Sequence, residues 1–194
     1  MATIAYFLTP TQIKATAYID ENTDDKYLIN AIRIAQDLYI LPILGSGIYD
    51  EIKTQINAGT VTALNDTLLK DYIQHSLTFF TLYEAIEPLS MKFTNKSILK
   101  KTSENSQPIS FEEMNQLKEK FKNIAEYYAN RIVKYLIENE ASYPLYYNPG
   151  SAVDTVHPKR NVFDSGWNLD RITREQGGDC SKIDYYENPG TCCD

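Results

Sequence analysis

Glycine and proline are unevenly distributed along this chain of 194 residues, and their distribution limits where long helices can form. Residues 1–141 contain three glycines and four prolines, whereas the much shorter stretch 142–194 contains five glycines and four prolines. Proline breaks the interior of a helix and glycine weakens it. The sequence therefore predicts a helical domain over residues 1–141 and an extended, largely irregular arm over residues 142–194.

Apolar residues within the first part recur at spacings of three and four, the period of a helix that buries one face. Thr9 with Gln12 predicts a capping box at a short first helix, and Ser110 with Glu113 predicts another at the last helix. The longest stripes comprise Leu28, Ile32, Ala35, Leu38 and Tyr39; Leu64, Leu68, Tyr72, Leu77, Phe80 and Tyr83; and Leu117, Phe121, Ile124, Tyr128, Ile132 and Leu136. We expect an all-α fold, a compact bundle of about four to five helices, with a polar loop or short hairpin at residues 94–108.

The segment ILPILGSG, residues 40–47, predicts a tight junction between two helices. Pro42 disfavours helical structure in the residue before it, so we expect the preceding helix to end there. Gly45 suits a left-handed position that terminates a helix, and Ser46 can cap the helix that follows. Pro42, Gly45, Ser46 and Gly47 are therefore predicted to form the helix junction.

Aromatic residues continue into the arm although the helical spacing stops. Disordered segments are usually poor in aromatics, so we expect the arm to lie against either its own helical body or a neighbouring subunit. Arginines accompany these aromatic residues, and the two types are enriched in interface hot spots. The predicted interface residues are Tyr143, Tyr146, Tyr147, Phe163, Trp167, Arg171, Arg174, Tyr185 and Tyr186.

The charge balance argues against a broad surface for nucleic acid. Nineteen Lys and Arg residues face 26 Asp and Glu residues, for a formal net charge of −7, whereas affinity for nucleic acid depends on neutralising phosphates. Lys96, Lys100 and Lys101 form a weak basic cluster that could contact nucleic acid or an acidic partner. A solvated loop is the plainer interpretation of that cluster.

Histidine and cysteine do not form a recognisable metal site in the sequence. His75 and His157 lack the spacings of a di-iron or zinc site. Cys180, Cys192 and Cys193 lie near the C-terminus, and their odd number with a vicinal pair predicts reduced thiols rather than a disulfide framework. We expect neither a metal nor a cofactor.

Signatures of catalysis and of membrane insertion are also missing from the sequence. Carboxylate pairs such as Glu84 with Glu87 and Glu112 with Glu113 are common on solvated helix faces and at caps. We find no phosphate-binding glycine loop and no nucleophile elbow. No apolar run approaches the ~18 residues that cross a bilayer, and residues 1–8 lack the features of a signal peptide. The sequence predicts a soluble, non-enzymatic protein of a cytosol-like compartment.

Two segments carry a resemblance to a known class of virion proteins. LTPTQIKATAYIDENTDD at residues 8–25 and QDLYILPILGSGIYDEI at residues 36–52 resemble the small helical head–tail connector, or adaptor, proteins of tailed bacteriophages, particularly those of the crAss-like group. The resemblance covers residues 8–141 as an order of helices, and it implies a homo-oligomeric ring, commonly a dodecamer. Such a ring joins the portal to neck or tail proteins, surrounds the DNA conduit and has no catalytic residues. The resemblance also implies that loop 94–108 contacts a neighbouring ring or the channel.

The leading functional hypothesis is therefore a structural protein at the head–tail interface of a virion, made in the cytoplasm of a bacterial host. An acidic ring suits a conduit through which DNA passes without specific binding. The alternative is a cytosolic helical adaptor or regulator that binds one partner protein through its aromatic arm. An enzyme is the third hypothesis.

Overall fold

The computed structural model describes residues 5–17, 19–93, 98–100 and 110–160. These residues belong to one compact unit, residues 1–162, and a second unit, residues 163–194, lies outside the described residues. The predicted all-α fold is confirmed. The helices are α1 Pro10–Thr16, α2 Asp25–Ala35, α3 Leu41–Ala58, α4 Ala63–Thr67, α5 Gln74–Ser90, α6 Phe111–Glu138 and α7 Pro144–Tyr147, with a 3₁₀ turn at Glu140–Ser142.

Two π turns and one short hairpin complete the described elements. The first π turn, Gln36–Ile40, joins α2 to α3, and the second, Leu68–Ile73, joins α4 to α5. After α5, strands β1 (Met91–Phe93) and β2 (Ile98–Lys100) pair antiparallel. The sequence predicted a loop or a short hairpin at residues 94–108; of these alternatives the described strands show a hairpin, which begins three residues earlier at Met91.

Capping residues fix where the main helices begin. The Thr9 and Gln12 side chains form the predicted capping box at α1, and Ser110 and Glu113 form the one predicted at α6. Asp24 caps α2 because its carboxylate accepts a hydrogen bond from the Lys26 N–H at 3.0 Å. Each cap pairs an N–H group that the first helical turn leaves without a partner.

The prediction that a helix ends at Pro42 is wrong. Helical backbone continues to Leu44, and Gly45 is the first residue to leave it, with φ 73° and ψ 161°. The π turn before the proline is closed by a hydrogen bond from the Leu41 N–H to the Gln36 carbonyl. This wider turn makes room for the proline ring, which would otherwise clash with the preceding turn of an α-helix.

The same π turn changes which residues face the core. Gln36 and Ile40 are both buried, whereas Leu38 between them is 60% exposed. The sequence predicted that Leu38 widens the buried stripe of α2, and that prediction is wrong. A π turn takes more residues per turn than an α-helix, so the residues after Ala35 depart from the spacing on which the prediction relied.

The core is built around α5, which packs against both α2 and α6. Ser76 on α5 donates a hydrogen bond to the Ala125 carbonyl on α6 at 3.0 Å. Gln36 fastens the N-terminal segment to the bundle: its side-chain oxygen accepts from the Phe7 N–H, and its amide nitrogen donates to the Ala5 carbonyl. Large side chains of the main core include Phe7, Ile13, Ile32, Ile40, Leu44, Ile48, Ile52, Leu68, Ile73, Leu77, Ile132, Leu136 and Tyr146.

One helical run in the described part of the chain is long and apolar enough to meet the criteria for a membrane span, Asp25–Ala58. Gly45 interrupts its helical backbone. Ile32, Leu44 and Ile52 of this run are fully buried in the bundle, whereas Ile34 and Leu38 are exposed. Packing in the core therefore accounts for part of the apolar character of this run.

Candidate functional site

The helix junction holds the first part of the arm. The Ser46 N–H donates to the Val156 carbonyl at 2.9 Å, and the Val156 N–H donates to the Ser46 Oγ at 2.7 Å. The Lys159 N–H donates to the Pro42 carbonyl at 2.9 Å. The described part of the arm, residues 142–160, thus forms three hydrogen bonds with the junction, and the Ser46 hydroxyl bonds to the arm in place of the helix-capping role that the sequence predicted.

Both glycines of the junction allow the arm to approach the backbone closely. A Cβ atom on Gly45 would lie 2.7 Å from Pro158 Cδ, and one on Gly47 would lie 2.7 Å from the Leu145 carbonyl oxygen. Gly45 also has a positive φ that residues with side chains rarely adopt. The spacing Gly-Ser-Gly is therefore explained by contact with the arm as well as by the turn.

Two of the predicted interface residues are core residues of the chain itself. Tyr143 is 3% exposed and Tyr146 is fully buried. The Tyr143 hydroxyl donates to the Leu64 carbonyl at 3.0 Å, and burial raises the pKa of Tyr143 far above its usual range. The sequence left open whether the arm lies against its own helical body or a neighbouring subunit, and these two side chains pack into the chain's own body.

Tyr146 has an unusual environment for a tyrosine. Its hydroxyl is buried and has no hydrogen-bond partner among the described residues. Burial raises the pKa of Tyr146 to about 12, against the opposing effect of the nearby Arg160 charge. A buried hydroxyl without a partner is unfavourable by about 1–3 kcal/mol. Packing of the aromatic side chain of Tyr146, and not its hydroxyl, therefore stabilises the position of the arm.

Arg160 links two segments of the arm. Its guanidinium donates to the Tyr146 and Tyr147 carbonyls at 3.3 and 3.1 Å. The guanidinium carbon also lies 4.4 Å from the centre of the Tyr147 ring. Tyr147, a predicted interface residue, is half-buried under this cation–π contact.

The remaining predicted site residues fall where the structure describes little or nothing. Lys100 is in β2, and its side chain lies outside the description. The residues that lie wholly outside the described ranges are Lys96, Lys101, Phe163, Trp167, Arg171, Arg174, Tyr185 and Tyr186.

Glu84, Glu87 and His75, which the sequence offered as candidates, have structural partners. Glu84 accepts a hydrogen bond from the Tyr39 hydroxyl at 2.7 Å, and burial together with this bond raises the pKa of Tyr39. Glu87 pairs with Lys118. His75 is exposed and stacks on Tyr128 with ring centres 5.4 Å apart. Within the described ranges, no three His, Cys, Asp or Glu side chains come together as a metal site would require.

Two of the apolar surfaces exposed in the described part of the chain were missed by sequence reasoning. The first, here called the α2 ridge, consists of Ile34 and Leu38, which are 43% and 60% exposed. The second, here called the α5–α6 groove, has a volume of about 430 Å³. It is lined chiefly by Ile19, Leu82, Ile86, Leu89, Leu117 and Lys120.

In a comparison with protein families, residues 40–156 match the family of unknown function DUF6712. The chain belongs to this family. The matched region begins in the helix junction and ends at Val156, the arm residue that bonds to Ser46, so the family pattern spans both halves of the junction–arm contact. No curated protein and no solved structure matches the chain.

Proposed function

We propose that this member of the DUF6712 family is a structural protein of a tailed-phage virion, a head–tail connector. Copies of the chain form a ring, commonly a dodecamer in the proteins it resembles, between the portal and adjacent neck or tail proteins. The ring lines the conduit through which DNA passes without specific binding. The protein is made in the bacterial cytoplasm and ends up at the head–tail interface of the particle.

One observation carries the proposal: the α2 ridge and the α5–α6 groove share no residue. A closed ring needs a heterologous interface, in which one surface of a subunit binds a different surface of the next. Exposed apolar surfaces commonly mark interaction sites; here one lies on α2 and the first π turn, and the other lies between α5 and α6. This arrangement supports head-to-tail association of identical copies.

Charge and chemistry also support a structural role. The chain has a formal net charge of −7, which disfavours adhesion of DNA to a conduit. The carboxylates Glu84, Glu87 and Glu113 bind Tyr39, Lys118 and the Ser110 cap. These partners give each carboxylate a structural use.

The adaptor hypothesis has less support from the geometry. It relied on aromatic residues of the arm, and Tyr143 and Tyr146 are buried in the chain's own core. Truncation after Arg160 separates the two functions because it leaves both tyrosines and the junction contacts in place. If the chain is an adaptor, truncation should abolish binding of its one partner and leave its oligomeric state unchanged. If the chain is a connector, truncation should alter its oligomeric state or its binding to the portal.

The experiment is a measurement of mass in solution on the purified full-length chain, alone and mixed with the portal protein of the same phage. Sedimentation velocity at several protein concentrations should show a ring-sized oligomer, or a monomer that assembles when portal is added. A chain that stays monomeric at every concentration and never sediments with portal would contradict the proposal. Tight binding to duplex DNA at physiological salt would contradict its conduit role.

A further inference from the structure

Another pocket lies between α3, α4 and the beginning of the arm. Its volume is about 370 Å³, within the usual range of protein ligand pockets, roughly 300–1,000 Å³. It shares no residue with the α2 ridge or the α5–α6 groove. Its lining combines polar and aliphatic side chains, among them Ile48 and Glu51 of α3, Leu64 and Asn65 of α4, and Leu145 of α7.

Asn65 is a buried polar side chain with an unpaired acceptor. It is 3% exposed, and its Nδ2 donates to Glu51 Oε1 and to Gln55 Oε1, at 3.0 Å each. Its own side-chain oxygen, Oδ1, accepts no hydrogen bond from the described residues. Buried polar atoms normally have a partner, and the pocket beside Asn65 has space for a donor.

Glu51 supplies a second open acceptor. The Asn65 and Gln55 amide groups both donate to its Oε1, at 3.0 and 2.8 Å, and no donor of the described chain reaches its Oε2. Side chains three and four residues away are the neighbours of Glu51 on the helix surface, and none of them carries a charge: they are Gly47, Ile48, Thr54 and Gln55.

The lysines that follow Glu51 and Asn65 in the chain have other contacts. The Lys53 ammonium lies 5.0 Å from the centre of the Tyr49 ring, and the Lys70 ammonium pairs with Asp66 at 2.7 Å. None of the ion pairs within the described ranges includes Glu51. An opposite charge favours the ionised form of a carboxyl group, so the pocket favours a cation.

The apolar walls favour a cation that carries an alkyl stem. Leu64 and Leu145 are 40% and 37% exposed, whereas Ile48 is buried. Arginine and lysine chemistry suits such walls, since each side chain places a charged group at the end of an aliphatic stem. A guanidinium is the better match, because its planar fork of N–H donors can bind Glu51 Oε2 and Asn65 Oδ1 together.

We propose that this pocket binds an alkylguanidinium group. The Glu51 carboxylate and the Asn65 amide oxygen accept its N–H donors, and Leu64 and Leu145 pack against its stem. Two sources supply this chemistry: an arginine side chain of a bound protein, and a free guanidino compound. The inference goes beyond the proposed connector function, because residues of a single copy form the pocket.

Ligand-observed NMR with butylguanidinium as the probe tests the site in the full-length chain. Neutral butylurea has nearly the same shape and serves as the matched probe. Butylguanidinium should bind at least about tenfold more tightly, since charge-assisted hydrogen bonds are roughly twice as strong as neutral ones. Butylurea that binds as tightly as butylguanidinium would overturn the inference.

Two variants test the role of the carboxylate. Glu51→Gln keeps the size of the side chain and an oxygen for the Asn65 and Gln55 donors, but it should weaken butylguanidinium binding at least about tenfold. Asp50→Asn changes the net charge equally at an exposed neighbour that does not line the pocket, and it should change binding by no more than about twofold. Equal losses in the two variants would refute the site. Circular dichroism checks both folds, and the comparison of the two probes needs only the parent chain.

Sedimentation velocity, with and without portal protein, distinguishes the two sources. If an arginine of a bound protein fills the pocket, excess butylguanidinium should dissociate the assembly, butylurea should not, and Glu51→Gln should weaken it. If a free compound is the ligand, butylguanidinium should bind without a change in mass. A chain that does not bind butylguanidinium, and whose assembly Glu51→Gln leaves unchanged, would overturn the inference. That result would leave the connector function standing, since ring formation and portal binding are measured on the parent chain.

Discussion

Substitution of Gly45 by alanine tests the contact between the helix junction and the arm. The backbone at Gly45, with φ 73° and ψ 161°, lies in a region that is essentially restricted to glycine, and a side chain there costs about 1–3 kcal/mol. The new Cβ would also lie 2.7 Å from Pro158 Cδ and 3.1 Å from the Val156 carbonyl oxygen. Relief of that overlap by moving packed groups costs a further 1–3 kcal/mol or so. We expect Gly45→Ala to lower the free energy of unfolding by about 2–6 kcal/mol, a large part of the roughly 5–15 kcal/mol of a typical domain.

Alanine substitutions at two other glycines distinguish the energetic cost of backbone strain from the cost of steric overlap with the arm. Gly59 has φ 66°, and a Cβ there would meet nothing within 4 Å, so Gly59→Ala should cost only about 1 kcal/mol. Gly47 has no positive φ, but its Cβ would lie 2.7 Å from the Leu145 carbonyl oxygen, so Gly47→Ala should cost about 1–3 kcal/mol. The order of destabilisation should therefore be Gly45 first, Gly47 next and Gly59 last.

Urea unfolding monitored by circular dichroism gives the three free energies, provided that the slope m is unchanged between variants. Amide hydrogen exchange adds local information, since Gly45→Ala should remove protection from the Val156 and Lys159 amides while sparing those of α6. A Gly45→Ala variant no less stable than Gly59→Ala, with both arm amides still protected, would refute the reasoning that the arm presses on the junction.

Three further predictions concern single side chains. Tyr146→Phe removes a buried hydroxyl that has no partner in the described structure and should raise stability by about 1 kcal/mol; a loss of that size in urea unfolding would contradict this assignment. Gln36→Leu leaves the Phe7 N–H without its partner and should cost about 1–3 kcal/mol, whereas a neutral result would show that the N-terminal segment is not held there. Ser110→Ala should cost about 1 kcal/mol at neutral pH. The Ser110 backbone N–H and, to a smaller extent, the Ser110 hydroxyl lower the pKa of Glu113, and alanine removes only the hydroxyl's share. The Glu113 contribution is present above the usual Glu pKa and is lost as pH falls through the lowered value, so the difference in stability between variant and parent should be smaller at acidic pH than at neutral pH, and an unchanged difference would contradict this.

Local features of the fold were predictable from the sequence, and the reason is physical. A capping box involves side chains three residues apart, so Thr9 with Gln12 and Ser110 with Glu113 identify two helix starts without knowledge of the rest of the chain. Gly59 likewise marks the end of α3 through its own backbone conformation.

Features that depend on distant partners were not predictable in the same way. Ser46 appeared to be a helix cap, but its hydroxyl bonds to Val156, which is 110 residues away. Leu38 fits a buried stripe only if the helix keeps its α period, and the π turn removes that period. The α5–α6 groove depends on how α5 and α6 pack against the segment that contains Ile19, which no local pattern records.

Electron microscopy of the full-length chain assembled with the portal protein of the same phage tests the proposed function most directly. The connector proposal predicts a closed ring of identical copies seated below the portal. Portal particles that carry no added ring, in the presence of excess monomeric chain, would contradict it.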